Sequence, residues 1–241
     1  MILLIDIGNS RLKWALWDGV VLSPTVAVTH RGEPATALSQ LPQRPLQAVW
    51  IAHVVGQQHE AAIAQAVTNR FGVPPRFARS GDTQLGLRSA YAEPARLGVD
   101  RWLMMLAAWS ERREACCVVS AGTALTFDAV DAEGRHQGGF IAPGLTAMLQ
   151  ATLGNTRFPT AELGTAYHDG LGRDTEACVR QGAFLAALGA VERGVRAAGA
   201  PPVRYLCGGD AAVLLPHLGS GWQQRDDLVL RGLLALSTAR R

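Results

Sequence analysis

The segment Asp6-Ile7-Gly8-Asn9-Ser10 and the nearby Lys13 combine residue types that could bind a phosphate together with a metal ion. Successive backbone N–H groups in a turn form an anion-binding concavity, and Gly8 has no side chain to block the phosphate. Lys13 is the single lysine among 23 lysine and arginine residues, and its ammonium could reach the same phosphate. The Asp6 carboxylate could hold Mg²⁺ directly or through water, since Mg²⁺ takes few protein oxygens when phosphate is present. An ordinary Asx-Gly turn is the alternative for this segment.

The residues on either side of this segment predict a strand, a tight turn and a returning strand. Residues 2–7 are a short apolar run, and Leu12, Trp14 and Leu16 lie at alternate positions after the turn. This alternation is typical of a half-buried strand. The pair Asp18-Gly19 is typical of hairpin turns and predicts a third strand beyond it.

The same pattern occurs a second time in the chain. Cys116–Val119 opens another apolar strand, and VVSAGTALTFDAV matches the N-terminal segment so that Gly8 falls on Gly122. Chance similarity is the alternative, because strand-glycine-strand hairpins are common. Both copies begin a new run of strands, so we expect two similar α/β lobes, residues 1–114 and residues 115–241.

The rest of the pattern alternates between strands and helices. Apolar runs and the 3.6-residue period predict strands at 48–54, 136–142 and 203–207, helices at 60–71, 94–113, 145–153 and 174–198, and a helix after Asp226. The Gly-Gly pair at 208–209 follows a predicted strand, where a backbone can approach a ligand closely.

Composition excludes several classes of protein. With 241 residues, 48% of them hydrophobic, the chain can bury a sizeable core and is not predominantly disordered. A net charge of +3 without long like-charged runs indicates no nucleic-acid partner. Asp6 interrupts the N-terminal apolar run and no stretch reaches the ~18 apolar residues of a membrane span, so we expect neither a signal peptide nor membrane association.

The cysteines and histidines show no spacing that would form a disulfide framework or a metal site. Reduced, mostly buried thiols are expected, and the protein is therefore predicted to be cytoplasmic. The four cysteines are Cys116, Cys117, Cys178 and Cys207.

Two common nucleotide-binding motifs are missing from the sequence. There is no GxxxxGK[ST] segment and no GxGxxG segment opening a helix, which disfavours a P-loop ATPase and a Rossmann enzyme. A hairpin that cradles phosphate, repeated in two lobes, is a different solution to nucleotide binding. It points to the actin-like ATPase superfamily.

The sequence resembles the type III pantothenate kinases, short two-lobed members of the superfamily of acetate kinase, sugar kinases, Hsp70 and actin. The resemblance covers essentially the full chain. It rests on five segments in order: DIGNSRLKW at 6–14, YAEPARLGVDRW at 91–102, SAGTALTFD at 120–128, GGFIAPG at 138–144 and GRDTEACVRQG at 172–182.

The resemblance implies both a fold and a reaction. The fold is α/β, with two similar actin-like (ribonuclease H-like) lobes, mixed sheets and a nucleotide cleft between the lobes. The reaction transfers the γ-phosphate of ATP to the primary hydroxyl of pantothenate and gives 4′-phosphopantothenate, the first step of coenzyme A biosynthesis. The implied cofactors are ATP and Mg²⁺, with Asp6 near the metal.

The resemblance also assigns the nucleotide site residue by residue. Adenine is expected near Gly208 and Gly209, and Thr123 of the second hairpin is expected on the phosphates. The remaining ATP-binding residues implied by the resemblance belong to the first hairpin: Asp6, Ile7, Gly8, Asn9, Ser10, Arg11, Leu12 and Lys13.

The acceptor site is implied by the segment at 98–101 and by two residues outside it. Asp100 is the implied general base, which would take the proton of the attacking hydroxyl. Without the resemblance, Asp100 and Arg101 would be interpreted as a solvated ion pair, Tyr91 as a capping aromatic and Thr175 as a first-turn helix residue. The implied pantothenate-binding residues are Tyr91, Gly98, Val99, Asp100, Arg101 and Thr175.

One position departs from the family pattern. Many members have Asp where this chain has Ser120, and that Asp is associated with a monovalent cation, K⁺ or NH₄⁺. Ser120 removes a formal charge but keeps a hydroxyl that could still coordinate the cation, so the requirement for it stays open. The resemblance also implies a homodimer, and the apolar helix with Trp102 and Trp109 is a candidate for its surface.

Two other functions remain as alternatives. One is an accessory protein of a transcriptional regulator on the same fold, which would not need Asp6, Lys13, Asp100 and Thr123 together. The other is a sugar or acetate kinase of the same superfamily, although those chains are generally longer and lack GVDRW with the upstream tyrosine.

Overall fold

The N-terminal strands form a five-stranded mixed sheet in the computed structural model, which describes residues 1–30, 32–154 and 166–239. The strands are β1 (Ile2–Ile7), β2 (Arg11–Trp17), β3 (Val26–Thr29), β4 (Ala48–His53) and β5 (Pro75–Phe77). They lie in the order β3-β2-β1-β4-β5, with β2 antiparallel to both β1 and β3, and with β4 and β5 parallel to β1. The predicted N-terminal hairpin is confirmed.

Alternate residues of β1 form the core of this sheet. Leu3, Ile5 and Ile7 lie in one apolar cluster with Ile63 and Val67, because alternate strand residues share a face. The other elements of this part of the chain are the helices α1 (Pro34–Ala37), α2 (Glu60–Phe71) and α3 (Val99–Arg112) and the two short strands β6 (Thr83–Gln84) and β7 (Leu87–Arg88).

The second sheet repeats the first. Its strands are β8 (Cys116–Ala121), β9 (Ala124–Val130), β10 (His136–Pro143), β11 (Val203–Cys207) and β12 (Trp222–Gln224). They lie in the order β10-β9-β8-β11-β12, with the same pattern of antiparallel and parallel pairs as the first sheet. The helices that accompany it are α4 (Leu145–Gly154), α5 (Thr175–Ala197) and α6 (Ala211–Leu214). The predicted repeat of the glycine hairpin is therefore confirmed.

The last helix, α7 (Leu228–Thr238), packs with the first sheet. Gly232 lies against the backbone carbonyl of Leu103 in α3 so closely that a Cβ would collide with it. The chain accordingly divides into a first unit, Met1–Ser110 with Asp227–Arg241, and a second unit, Glu111–Asp226. The predicted lobe boundary at residue 114 places α7 in the second lobe. The apolar face of α7 would suit either sheet, so its sequence does not show which sheet it covers.

Helix α3 begins later than its pattern predicts and is more deeply buried. Pro94–Arg96 form a 3₁₀ turn and Leu97 is extended, so the helix starts only after Gly98. Trp102 is 0% exposed and Trp109 is 6% exposed. This helix therefore belongs to the core of the chain and is not the exposed dimer surface suggested by its tryptophans.

The loop after β2 also differs from its prediction. The Asp18 carboxylate accepts hydrogen bonds from the backbone N–H groups of Val20 and Val21 at 2.8 and 2.7 Å. These bonds lie within a turn over residues 18–21, across which Trp17 and Leu22 pair antiparallel, and the regular strand β3 begins only at Val26. The predicted turn and third strand are both present, and Asp18-Gly19 forms the first half of a four-residue turn over residues 18–21.

Two further expectations concern thiols and membranes. Cys116, Cys117 and Cys207 are buried, Cys178 is exposed, and none of the four forms a disulfide. Burial raises the pKa of Cys116 and Cys117 to about 12, which keeps both as thiols.

Among the described helices, none combines the length and apolar character needed to cross a membrane.

Candidate active site

The turn of the first hairpin is closed by its own backbone. Gly8 N–H donates to the Arg11 carbonyl at 3.0 Å, and Asn9 and Ser10 are exposed. A Cβ at Gly8 would meet the Arg11 carbonyl at an unstrained 3.4 Å. Packing within the chain therefore does not demand glycine here, and the missing side chain would allow a ligand to approach the turn closely.

Asp6 and Lys13 face each other directly across this hairpin. They are register partners in the antiparallel pair β1–β2, so both side chains lie on the same face of the sheet. Burial raises the pKa of Asp6 to about 7, the Lys13 ammonium lowers it, and the nearby Asp100 carboxylate raises it. The first unit thus brings two carboxylates and one ammonium together around the turn.

This group of charges fits a divalent cation bound mainly by phosphate and water. A half-buried carboxylate with a raised pKa lacks sufficient positive charge around it, and Asp100 adds a second negative charge. In the described part of the chain, no set of three or more His, Cys, Asp or Glu residues could enclose a metal. Mg²⁺ bound to a nucleotide needs no such set.

The start of α3 gathers the predicted acceptor residues of the first unit. Asp100 Oδ1 lies 2.7 Å from the position that a Cβ on Gly98 would occupy, so glycine allows the carboxylate to fold back there. Arg101 is 5% exposed, and its Nη1 donates to the Tyr91 hydroxyl at 3.2 Å. The interpretation of Asp100 and Arg101 as a solvated ion pair is wrong for the buried Arg101.

Three backbone segments meet at the second hairpin. Thr123 is exposed at the turn, its carbonyl accepts from Gly144 N–H at 3.2 Å, and a Cβ on Gly144 would collide with the Gly122 carbonyl. A Cβ on Gly208 would likewise collide with the Ala121 carbonyl. The predicted phosphate turn and the predicted adenine segment are therefore adjacent in the second unit.

Ser120 is the penultimate residue of β8 and lies beside a second hydroxyl. Its register partner on β9 is Thr126, so the two side chains lie on one face of the sheet. Thr126 Oγ1 is buried and has no hydrogen-bond partner within the described ranges. Two neutral hydroxyl oxygens thus lie beside each other on this face of the second sheet.

Thr175 opens α5 in the second unit. Asp174 caps the helix by accepting from Ala177 N–H at 2.7 Å, and Thr175 is exposed. It lines a groove together with Gly172 and Cys178. Thr123, Thr175, Ser120 and the predicted adenine segment at Gly208 and Gly209 thus belong to the second unit, while the other predicted site residues belong to the first.

Two of the predicted nucleotide-binding residues can contribute only through their backbone. Ile7 and Leu12 are 0% exposed and form part of the core of the first sheet. They fix the ends of the turn, whereas Asn9, Ser10 and Arg11 are exposed at it.

Sequence reasoning missed one residue at the first turn. His30 Nε2 lies 2.8 Å from the Gly8 carbonyl, although the sequence analysis assigned no role to any histidine. No local pattern predicts this contact, because 22 residues separate His30 from Gly8. The loop between β2 and β3 also makes the start of β3 hard to predict from the sequence.

A comparison with known families bears on this geometry. The sequence profile of the family described as "Type III pantothenate kinase" matches residues 2–197. The chain belongs to the type III pantothenate kinase family. A type III pantothenate kinase from Aromatoleum aromaticum is 37% identical over 240 residues, which cover 98% of each chain.

The fold of this member of the pantothenate kinase family is similar to that of several solved structures. A Baf family transcriptional activator from Campylobacter jejuni has a TM-score of 0.66 at 20% identity, covering 97% of this chain and 96% of that one. A 2-dehydro-3-deoxygalactonokinase protein from Sinorhizobium meliloti has a TM-score of 0.56 at 14% identity, covering 98% of each chain. At these identities the likeness shows the fold, and the expected actin-like fold is confirmed.

Proposed function

We propose that the protein is an ATP-dependent kinase that phosphorylates the primary hydroxyl of pantothenate. The products are ADP and 4′-phosphopantothenate, and the reaction is the first step of coenzyme A biosynthesis. Membership of the type III pantothenate kinase family carries this proposal. The grouping of Asp6, Lys13 and Asp100 in the first unit supports it.

Asp100 acts as the general base. The attacking hydroxyl must lose its proton as the new P–O bond forms, and a carboxylate within hydrogen-bond reach can accept that proton. Gly98 supports this role, because the carboxylate lies against it where any side chain would interfere. Phosphoryl transfer otherwise depends on positioning and on neutralising charge.

Both hairpins bind the nucleotide. Exposed backbone N–H groups of the first turn and the Lys13 ammonium hold phosphate oxygens, and Thr123 contributes its hydroxyl from the second turn. Asp6 holds Mg²⁺, which neutralises phosphate charge when it is bound. The close-packed Gly208 segment, followed by Gly209, supports adenine binding in the second unit.

Pantothenate is bound through its polar groups. The buried Arg101, held by Tyr91, pairs with the substrate carboxylate or with phosphate, since a guanidinium suits either partner. Gly98 and Val99 supply backbone at the start of α3. Thr175, exposed at the start of α5, adds a hydroxyl from the second unit.

The active protein is a cytoplasmic homodimer in this proposal. The four cysteines, none of which forms a disulfide, fit a reducing compartment. Sedimentation of the purified protein tests the dimer, for which twice the chain mass of 25.6 kDa is expected.

A monovalent cation, K⁺ or NH₄⁺, binds at Ser120 through neutral oxygens. The Ser120 hydroxyl and the Thr126 hydroxyl, which has no hydrogen-bond partner among the described residues, fit such a cation but supply no charge. ADP release is therefore expected to be faster in K⁺ or NH₄⁺ than in Na⁺, and Ser120→Asp is expected to lower the K⁺ concentration for half-maximal rate by about tenfold. Equal rates in all three cations would exclude this site.

The variant Asp100→Asn tests the assignment of the base. Asparagine keeps the shape of the side chain but cannot accept the proton, so pantothenate-dependent ADP release should fall by about 10²-fold or more. Mg-ATP binding and the thermal midpoint should stay near wild type. Asp18→Asn, which changes a carboxylate in the exposed loop after β2, is the matched control, and undiminished turnover in Asp100→Asn would remove Asp100 from the mechanism.

A further inference from the structure

His30 contacts the turn of the first hairpin, residues 8–11, at two backbone carbonyls. It follows β3 directly, and its backbone N–H donates to the Ser10 carbonyl at 3.3 Å. Its ring Nε2 lies 2.8 Å from the Gly8 carbonyl. The residue is 4% exposed, so these contacts are sheltered from water.

The surrounding groups define which ring nitrogen carries the proton. Gly32 N–H donates to Nδ1 of His30 at 3.2 Å, so Nδ1 is an acceptor. Nε2 therefore carries the hydrogen and donates it to the Gly8 carbonyl, which can only accept. One neutral tautomer satisfies both contacts.

The hydrogen bond to Gly8 also sets the direction of a neighbouring donor. A peptide group is planar and trans, so its C=O and N–H point in opposite directions. Because the Gly8 carbonyl points at His30, the Asn9 N–H of the same peptide points away from His30. Asn9 is exposed and lies at the centre of the turn.

We propose that His30 is a positioning residue that orients the Asn9 N–H of the turn toward a nucleotide phosphate. This inference rests on the proposed function, since it assumes that the turn binds the phosphates of ATP. His30 touches neither substrate. It acts by fixing a donor before the nucleotide arrives, which lowers the ordering cost of binding.

Three substitutions separate the two ring contacts. Gln places an amide N–H as far from the backbone as Nε2, so His30→Gln keeps the donor to Gly8. Asn reaches only as far as Nδ1, so His30→Asn keeps the acceptor for Gly32 and loses the donor to Gly8. His30→Ala loses both contacts.

Steady-state kinetics of these variants provide the test. The KM for Mg-ATP should rise by about tenfold in His30→Ala and His30→Asn and by less than about twofold in His30→Gln. The KM for pantothenate should stay within about twofold of wild type in all three. Equal KM values for Mg-ATP in Gln and Ala variants would overturn the proposal.

A matched control separates positioning from general stability. Ser23 Oγ accepts from Leu16 N–H at 3.0 Å near the other end of β2, so Ser23→Ala removes a comparable contact from the same sheet. Its thermal midpoint should fall without a change in the KM for Mg-ATP. If Ser23→Ala raises this KM as much as His30→Ala, His30 has only a structural role.

Direct measurement of ATP-analogue binding distinguishes a failure of the proposed kinase reaction from a failure of the proposed role of His30. If the wild-type protein releases no ADP with pantothenate, the proposed function fails, and the Kd for a fluorescent ATP analogue with Mg²⁺ replaces the KM. The same order of variants in Kd would support the role of His30. Identical Kd values for wild type, His30→Asn and His30→Ala would overturn it.

Discussion

Asp6 is a carboxyl whose surroundings favour the protonated form. Burial has the largest effect on its pKa and outweighs the favourable Lys13 ammonium, while Asp100 acts in the same direction as burial. The result is a pKa of about 7 instead of 3.8. Such a group is poorly neutralised in the protein alone and gains from a bound cation.

This pKa predicts how stability changes with pH. The folded state holds the Asp6 proton up to about pH 7, whereas the unfolded chain releases it near 3.8. Stability is therefore lost as pH rises between these values. Asp6→Asn should raise the free energy of unfolding at pH 8 by roughly 2 kcal/mol, less than the full pKa shift because the group keeps some contact with water.

Urea unfolding at two pH values checks this prediction. The gain of Asp6→Asn should be present at pH 8 and nearly absent at pH 4, where the wild-type carboxyl is largely protonated. Asp18→Asn is the control, because backbone hydrogen bonds from Val21 and Val20 lower the pKa of Asp18. A pH-independent effect of Asp6→Asn would show that its pKa is not raised.

At this scale the sequence predicts residues whose partners lie nearby in the chain. Asp6, Gly8 and Lys13 belong to one hairpin, so their spacing alone places them together. The positions of His30 and the buried Arg101 depend on packing between segments that are distant in the chain. Nothing in the residues next to them distinguishes them from ordinary polar residues. The resemblance to a family, not periodicity, singled out Arg101.

The second hairpin shows how glycines allow elements to approach. Gly144 begins the link from β10 to α4, and its missing side chain leaves room for the Gly122 carbonyl. Because this neighbour is backbone, it cannot swing aside as a side chain would. The turn with Thr123 therefore depends on a glycine in another segment.

Gly144→Ala should destabilise the fold by about 3 kcal/mol, the upper end for overpacking, and should weaken Mg-ATP binding. Gly189→Ala is the matched control, because Gly189 is exposed within α5 and a Cβ there meets nothing within 4 Å. That change should stabilise the protein by about 0.5–1 kcal/mol. Urea unfolding and ATP-analogue binding measure both, and unchanged values for Gly144→Ala would contradict the close approach.

Helices and strands with strong local periods were predictable, and their starts were less so. The predicted helix at 60–71 and strand at 203–207 coincide with α2 and β11. Helix α3 starts late because a 3₁₀ turn precedes it, and the loop held by Asp18 delays β3. In both places local side-chain and turn geometry overrides a pattern that fits a longer element.

The whole molecule is built from two copies of one sheet plan. The sequence repeat predicted two hairpins, and both sheets share the order and direction of their strands. The return of α7 to the first unit was not predictable, since periodicity shows an apolar face but not the sheet that covers it. Parallel strand pairs such as β1–β4 join distant segments of the chain, so local sequence patterns do not predict them either.

The combination of residues favours catalysis over the accessory-protein alternative. A protein kept only to bind a partner has no physical need for a half-buried Asp6, a facing Lys13 and a neighbouring Asp100. At neutral pH the ionised Asp6 carboxylate opposes folding, because burial disfavours it and the Lys13 ammonium offsets this only in part. Their presence together is explained by chemistry on a phosphorylated ligand.

The most direct test is chemical identification of the product. The purified protein is incubated with Mg-ATP and pantothenate in K⁺, NH₄⁺ or Na⁺, and mass spectrometry measures ADP and phosphorylated pantothenate in the same samples. We expect the two products in equal amounts, formed only when both substrates are present. Folded protein that binds Mg-ATP but yields no phosphorylated pantothenate in any of the three cations would contradict the proposed function.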